Sequence, residues 1–393
     1  MKYIDYKPEQ NLVTVSLLGR IDSGNAPQVE EELNQLVQSQ PDKEYKIDMG
    51  KLEYISSAGL RVLLRLRKQH PELSLENVAS SIYEILETTG FTEIMKVVRA
   101  YQFISVKGCE VIGQGANGRI YRIDGDTIVK VFFENDSIDE INRERELART
   151  AFVMGIPTAI PYGIVRTEEG YGSVFEMLNA RSLKDMLADS SVTVEECVKY
   201  SDELIKTIHR TQAKPDTLPD EKQKVLGWAA FLKGYIDDAA QEKICRMIME
   251  IPDDLHMLHG DYHIKNIMVQ NGETMLIDMD TLCTGNPIFE LASMFNAYKG
   301  FGEMDPRVIE DYLGISAGTA GRFWDLSILA YLETEDAGRV TEAENKARII
   351  GYTRLIRRKI RRGGLDTEEG RKEIDHFRQE LTELVSKVDS LTL

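Results

Sequence analysis

Oxygen-bearing side chains recur at short intervals in the stretch Leu258-His259-Gly260-Asp261-Tyr262-His263-Ile264-Lys265-Asn266 and again in Met275-Leu276-Ile277-Asp278-Met279-Asp280. Asn266 lies five positions after Asp261 (266 − 261), and Asp278 lies twelve after Asn266 (278 − 266). With apolar Ile267-Met268-Val269 and the turn Asn271-Gly272-Glu273 between them, the pattern reads as loop, strand, turn, strand. That arrangement brings two carboxylates and one amide to a common edge. Hard cations such as Mg2+ take such oxygen ligands together with substrate phosphates. The competing account is that acidic and amide groups at strand ends cap turns.

A second cluster lies upstream. Glu110 to Phe133 reads as strand, glycine loop, strand, an Asp124-Gly125-Asp126 turn, and a third strand. The loop Gly113-Gln114-Gly115-Ala116-Asn117-Gly118 allows backbone N–H groups to approach phosphate oxygens without a Cβ in the way. It lies between strands rather than leading into a helix, which disfavours a dinucleotide fold. A plain hairpin remains the alternative. Lys130 stands in an otherwise apolar strand, Thr127 to Phe133, and needs a partner there unless the strand is a solvated edge. The helical pattern of Ile138 to Val153 offers Glu144, with Glu140 and Glu146 as competitors. Phe175-Glu176-Met177-Leu178 closes a further strand-like run and reads as a hinge or as an ordinary strand end.

Taken in order, these elements resemble the aminoglycoside phosphotransferase and choline kinase group of the protein-kinase-like fold, over residues 108 to about 295. The resemblance implies Asp261 as catalytic base, Asn266 and Asp278 as magnesium ligands, and Lys130 held by Glu144 against the phosphates. Gly113, Gly115 and Gly118 would cover the nucleotide, and backbone groups of Glu176 and Leu178 would read its base. The cofactors implied are ATP (or GTP) and Mg2+. His259 is expected to support the catalytic loop. Gly285-Asn286-Pro287-Ile288-Phe289-Glu290 departs from the group's pattern, with Asn286 and Glu290 in place of the usual acids; a glutamate can still accept the same hydrogen bonds. Only Met279 to Phe289 separate Asp278 from Glu290, which leaves little platform for a peptide and favours a small hydroxyl-bearing acceptor.

The first hundred residues alternate strand and helix patterns, which builds a small α/β layer. Strands are predicted at Lys2–Asp5, Leu12–Leu18, Tyr45–Met49 and Leu73–Val78, with helices at Ala26–Gln38, after Gly59, and at Ser80–Thr89. Gly19-Arg20-Ile21-Asp22, Ile47-Asp48-Met49, Ile55-Ser56-Ser57-Ala58-Gly59-Leu60-Arg61 and Thr89-Gly90-Phe91 resemble the STAS domain of anti-sigma factor antagonists. In that family the serine before the helix accepts a phosphate that switches a protein partner; by motif position it is Ser57. Ser56 and Ala58 stand where some members carry Asp and Ser. Free N–H groups at a helix N-terminus suit a phosphate, and equally suit a capping serine at 56 or 57.

The whole is therefore read as α/β plus α+β: a STAS-type regulatory domain (1–100), a kinase-like N-lobe (108–178), and a helical C-lobe (179–393). Hydrophobic residues at 42% and charged residues at 29% suit packed domains. A net charge of −17 argues against nucleic acid as a partner. No apolar run is long enough for a membrane helix, and Met1–Gln10 lacks a signal-like core, so a cytoplasmic location is expected. Cys109, Cys197, Cys245 and Cys283 are scattered and suggest neither disulfides nor zinc. The basic run Arg354, Arg357, Arg358, Lys359, Arg361 and Arg362 is read as a solvated or salt-bridged helix face, with docking of an anion as the alternative. Glu333, Glu335 and Asp336 are read as a solvated helix end, with a cationic acceptor as the alternative. Three functions compete: a small-molecule kinase, a nucleotide-binding regulator acting through the STAS domain on a protein partner, and a kinase of Ser57 or of a partner protein.

Overall fold

A computed structural model describes residues 2–115, 117–133 and 138–393, so Ala116 of the glycine loop lies outside the described residues. The chain divides into two compact units, Met1–Ile104 and Ser105–Leu393.

In the first unit, Ile4–Pro8, Leu12–Ile21, Glu44–Ile55, Ser74–Val78 and Lys96–Arg99 form one sheet in sequence order. The first pair is antiparallel and the rest are parallel. Val13, Val15 and Leu17 alternate with polar neighbours and are buried, as are Ile47 and Met49, because one sheet face packs under the helices. The first strand starts later than predicted. The third runs on to Ile55, absorbing Tyr54-Ile55, because bulges at Ser16/Leu18 and Gly19/Arg20 keep Leu52 and Ile55 facing inward.

Helix Ser57–Gln69 is capped by Ser56, whose hydroxyl accepts from Gly59 N–H; Ser57 is exposed on the first turn. Ser56→Ala is accordingly expected to cost about 1 kcal/mol, a loss of about fivefold in amide protection along this helix by hydrogen exchange of the full chain. Ser57→Ala should leave that protection unchanged, and equal losses in both variants would contradict the capping assignment.

The second unit opens with antiparallel strands. Glu110–Gln114, Gly118–Arg122, Thr127–Phe132, Gly170–Glu176 and Pro161–Thr167 lie side by side in that order. Helix Ile138–Val153 packs with them through Ile141, Leu147, Ala148 and Ala151. The remainder is dominated by helices, including Val194–Arg210, Ile288–Tyr298, Ala317–Leu332, Ala337–Arg361 and Glu368–Lys387. Thr193 and Glu196 close a capping box at the first of these, and Asp336 caps the helix Ala337–Arg361 through the N–H groups of Gly338 and Arg339. A small hairpin, Ile267–Gln270 with Glu273–Leu276, turns at Asn271 and Gly272, both at positive φ as a two-residue hairpin turn requires.

The architecture is thus an α/β unit followed by a bilobal protein-kinase-like fold with a helical C-terminal lobe. No described helix is long and apolar enough to cross a membrane.

Candidate active site

Lys130 projects from strand Thr127–Phe132 inside the second unit's antiparallel sheet, where neighbouring Val129 and Val131 are buried. Its ammonium donates to Glu144 Oε1 at 2.6 Å and to Asp278 Oδ1 at 3.1 Å. Glu144 therefore meets the lysine, while its competitor Glu146 pairs with Arg145 and Arg149. Burial alone would push the Lys130 ammonium down; the Asp278 and Glu144 carboxylates outweigh it and hold its pKa above the usual lysine range.

The segment that follows the helical lobe's first buried strand, Met257–Leu258, positions Asp261 through backbone contacts. Gly260 sits at φ +81°, and a Cβ there would lie 2.5 Å from the Thr281 carbonyl oxygen, so only glycine fits. Fully buried Glu290 accepts from His259 N–H and from Gly260 N–H at 2.6 and 3.0 Å. The glutamate at this position thus accepts two backbone hydrogen bonds from the loop. His259 Nε2 donates to Ile277 O at 3.1 Å and its Nδ1 accepts from Asp261 N–H at 3.3 Å, so one tautomer ties the loop to the strand entering Asp278. Asn266 donates to Asp261 O at 3.1 Å and is buried. Asp278 itself adopts a left-handed conformation, φ 63° and ψ 62°, a cost that functional sites often carry.

Asp261 Oδ2 lies 3.4 Å from His263 Nε2, and Tyr312 donates to its Oδ1 at 3.4 Å. Burial would raise this carboxyl, but the His263 hydrogen bond and charge, with Arg354 adding to them, hold it down at about 2. Asp280 behaves in the opposite sense. Burial first, then the Asp278 and Glu144 carboxylates, push it up to about 7.

Gly115, Gly118, Lys130, Glu144, Asp261, Asn266 and Asp278 all line one cavity of about 360 Å3, whose other walls include Ile120, Ile128, Phe175 and Met279. Gly113, Glu176 and Leu178 do not line it. Glu176 N–H donates to Ile160 O, and Met177 N–H to Asp126 O. Gly118 is required by close approach, since a Cβ would fall 2.2 Å from Val131 O. His209 is a packed helix residue bonded to Tyr331 OH at 2.9 Å, whereas His263 faces Asp261. Asp280 and Tyr312 were not picked out from the sequence. The two-residue spacing from Asp278 was the available signal for the first; Tyr312, fifty-one positions from Asp261, offered none.

The donor set suits a magnesium nucleotide. Four carboxylates, Glu144, Asp261, Asp278 and Asp280, line the cavity with Lys130, and burial together with the neighbouring carboxylates raises Asp280. Among the described residues no three His, Cys, Asp or Glu side chains form a ready metal cage. Asn266 and Asp278 offer an amide and a carboxylate oxygen to the cavity, a donor set that fits Mg2+, which is usually held by one or two side chains plus phosphates. Apolar walls opposite provide a place for a base.

Residues 108–326 match the phosphotransferase enzyme family, and residues 3–103 match the STAS domain. The chain is 37% identical over 93 residues to BtrV of Bordetella bronchiseptica, described as an anti-sigma factor antagonist, covering 23% of this chain and 79% of that protein. Among solved structures it is similar to the ADP-bound aminoglycoside phosphotransferase APH(2'')-Ib at 16% identity, covering 78% of this chain and 99% of the other, with a TM-score of 0.49. A choline/ethanolamine kinase family protein from Mesorhizobium loti is 12% identical, covering 70% and 87%, with a TM-score of 0.46.

Proposed function

Since the chain belongs to the phosphotransferase enzyme family and carries a STAS domain ahead of that region, we propose that it is an ATP- and Mg2+-dependent kinase moving a phosphoryl group to the hydroxyl of a small molecule. The observation that carries this reading is Lys130 clasped by Glu144 and Asp278 in the cavity that Asp261 and Asn266 also line. Bound there, the magnesium nucleotide would supply the transferable phosphoryl group. Asn266 and Asp278 would hold the metal, Lys130 the phosphates, and the walls at Ile120, Ile128 and Phe175 the base. Asp261 orients the acceptor hydroxyl and takes its proton at a carboxylate oxygen; positioning and charge, rather than covalent chemistry, do most of the work in such transfers.

The STAS unit is the regulatory element in this proposal, and exposed Ser57 its phosphoacceptor, with a protein partner reading the phosphate. Its support is that Ser56 already caps the helix while Ser57 stands on the exposed first turn. One experiment separates the alternatives: the purified chain with labelled ATP, Mg2+ and a pool of hydroxyl compounds, products read by mass. Label on a small molecule, abolished by EDTA, is expected. Label confined to the protein and lost in Ser57→Ala would instead identify a kinase of the STAS unit, and ATP binding without any transfer would identify a nucleotide-binding regulator.

A further inference from the structure

Phosphoryl transfer as just described leaves the arginines of helix Ala337–Arg361 without a role. Neighbouring cations on that helix are paired in the ordinary way: Lys346 with Glu342, Arg348 with Glu380, Lys359 with Glu373. Among the described residues, no ion pair involves Arg354, Arg357 or Arg358, although all three are half-buried. Acidic residues are not scarce, with 65 against 48 basic ones in the chain. Burial and the like charges of Arg362 and Arg354 push the Arg358 guanidinium down, so folding has left a repulsive cluster in place.

The cluster sits beside the catalytic carboxylate. Arg354 Nη1 donates to Ser293 Oγ at 3.0 Å, and Ser293 Oγ donates to the carbonyl of Gly260, next to Asp261, at 3.1 Å. Arg358 lies 4.7 Å above the Phe301 ring; Phe301 packs edge-on against Tyr312 at 5.4 Å, and Tyr312 OH reaches Asp261. Lys265 adds a third cation, 5.4 Å from the Tyr312 ring. Of the acids that would favour a cationic acceptor, Glu333 pairs with Lys206 at 2.9 Å and Asp336 caps its helix. Of the six basic residues expected to form a solvated or salt-bridged helix face, Lys359 pairs with Glu373 and Arg361 and Arg362 are exposed, whereas among the described residues Arg354, Arg357 and Arg358 have no ion pair.

We infer that the acceptor is itself an anion, a small hydroxyl compound carrying a phosphate or carboxylate that Arg354 and Arg358 hold while its hydroxyl faces Asp261. The inference rests on the phosphotransferase reading and adds the substrate's charge class to it. Unpaired guanidinium groups suit such anions because their planar donors match both head groups.

The test is steady-state transfer by the full chain with ATP and Mg2+ to matched sets: glycerol, glycerol 3-phosphate and glycerate; ribose, ribose 5-phosphate and ribonate; choline and kanamycin as cations. The anionic members should exceed their neutral partners in kcat/KM by about tenfold or more, and comparing phosphate with carboxylate members identifies the head group. Arg354→Gln and Arg358→Gln should each reduce that preference by about tenfold, mainly through KM. Arg354→Lys should restore much of it. Ser293→Ala, which removes the brace but not the charge, should keep it. Preference for neutral or cationic members, or equal losses on every member, overturns the inference. If no member is turned over, melting with Mg-ADP decides: a rise in Tm with the anionic members that the Gln variants abolish sustains it, and no rise overturns it. The phosphotransferase reading fails separately, by Mg-ATP giving no rise in Tm that Lys130→Met removes.

Discussion

Asparagine at position 261 is expected to lower kcat by about two to four orders of magnitude, the span usually found when a positioned acid–base group is lost. The substitution keeps the size of the side chain and leaves an oxygen to accept from Tyr312, whose hydroxyl now lies 3.4 Å from Oδ1. What it removes is the charge that His263 and Arg354 face. The pH dependence follows from the same surroundings. This carboxyl is held at about 2 against an ordinary 3.8, so its contribution to stability is complete above the ordinary value and disappears as pH falls through the lower one. Asp261 is therefore ionised throughout the range in which rates are measured, and the wild-type rate should show no acid limb belonging to it between neutrality and pH 5. Steady-state rates of Asp261→Asn and of the wild type across that range are the measurement. A loss of less than about tenfold would leave Asp261 as a structural carboxylate and require another group to orient the acceptor.

Lys130→Met should have the second largest effect, and on two properties at once. Its ammonium is the cation between Glu144 and Asp278, so the variant loses phosphate neutralisation and should fall by about two to three orders of magnitude in kcat, comparable to removing one preorganised charge donor. It also strands two carboxylates beside Asp280. At the Glu144 end, where the side chains are 16% and 10% exposed, breaking the pair should cost about 3–5 kcal/mol; the Asp278 end, 45% exposed, is screened by water and adds less. The lysine's pKa is raised by its partners, so this stabilisation is fully present below the ordinary lysine value and would be lost only as pH rises above it. The same ammonium also restrains the rise of Asp280, so in the variant that carboxyl holds its proton to higher pH and the Tm difference from wild type should widen between pH 7 and 9. Adding Glu144→Gln should recover much of the lost Tm but none of the activity. Recovery of both would mean that Lys130 serves the fold and not the nucleotide.

Much of the site was legible because its parts are local. Asn271-Gly272 specifies a tight hairpin, and that hairpin sets Asn266 and Asp278 at the ends of paired strands. A lone lysine in an apolar strand demands a partner, and the helical period of Ile138–Val153 offered three glutamates, of which burial selected Glu144. At the hinge, a strand end looks the same from the sequence whether its backbone faces a ligand or a neighbouring segment.

The amino-acid order alone determined the two kinds of unit, the glycine loop, the strand lysine, and the spacing that groups an aspartate, an asparagine and a second aspartate. These depend on backbone conformation and side-chain period, which act over a few residues. Tertiary structure alone decided which charges find partners: that Glu290 braces Gly260, that Asp280 shares the cavity, and that Arg354 and Arg358 stand unpaired near Asp261 while Lys346 and Lys359 do not. Electrostatic energy falls with distance through space, and neither composition nor spacing along the chain reports that distance.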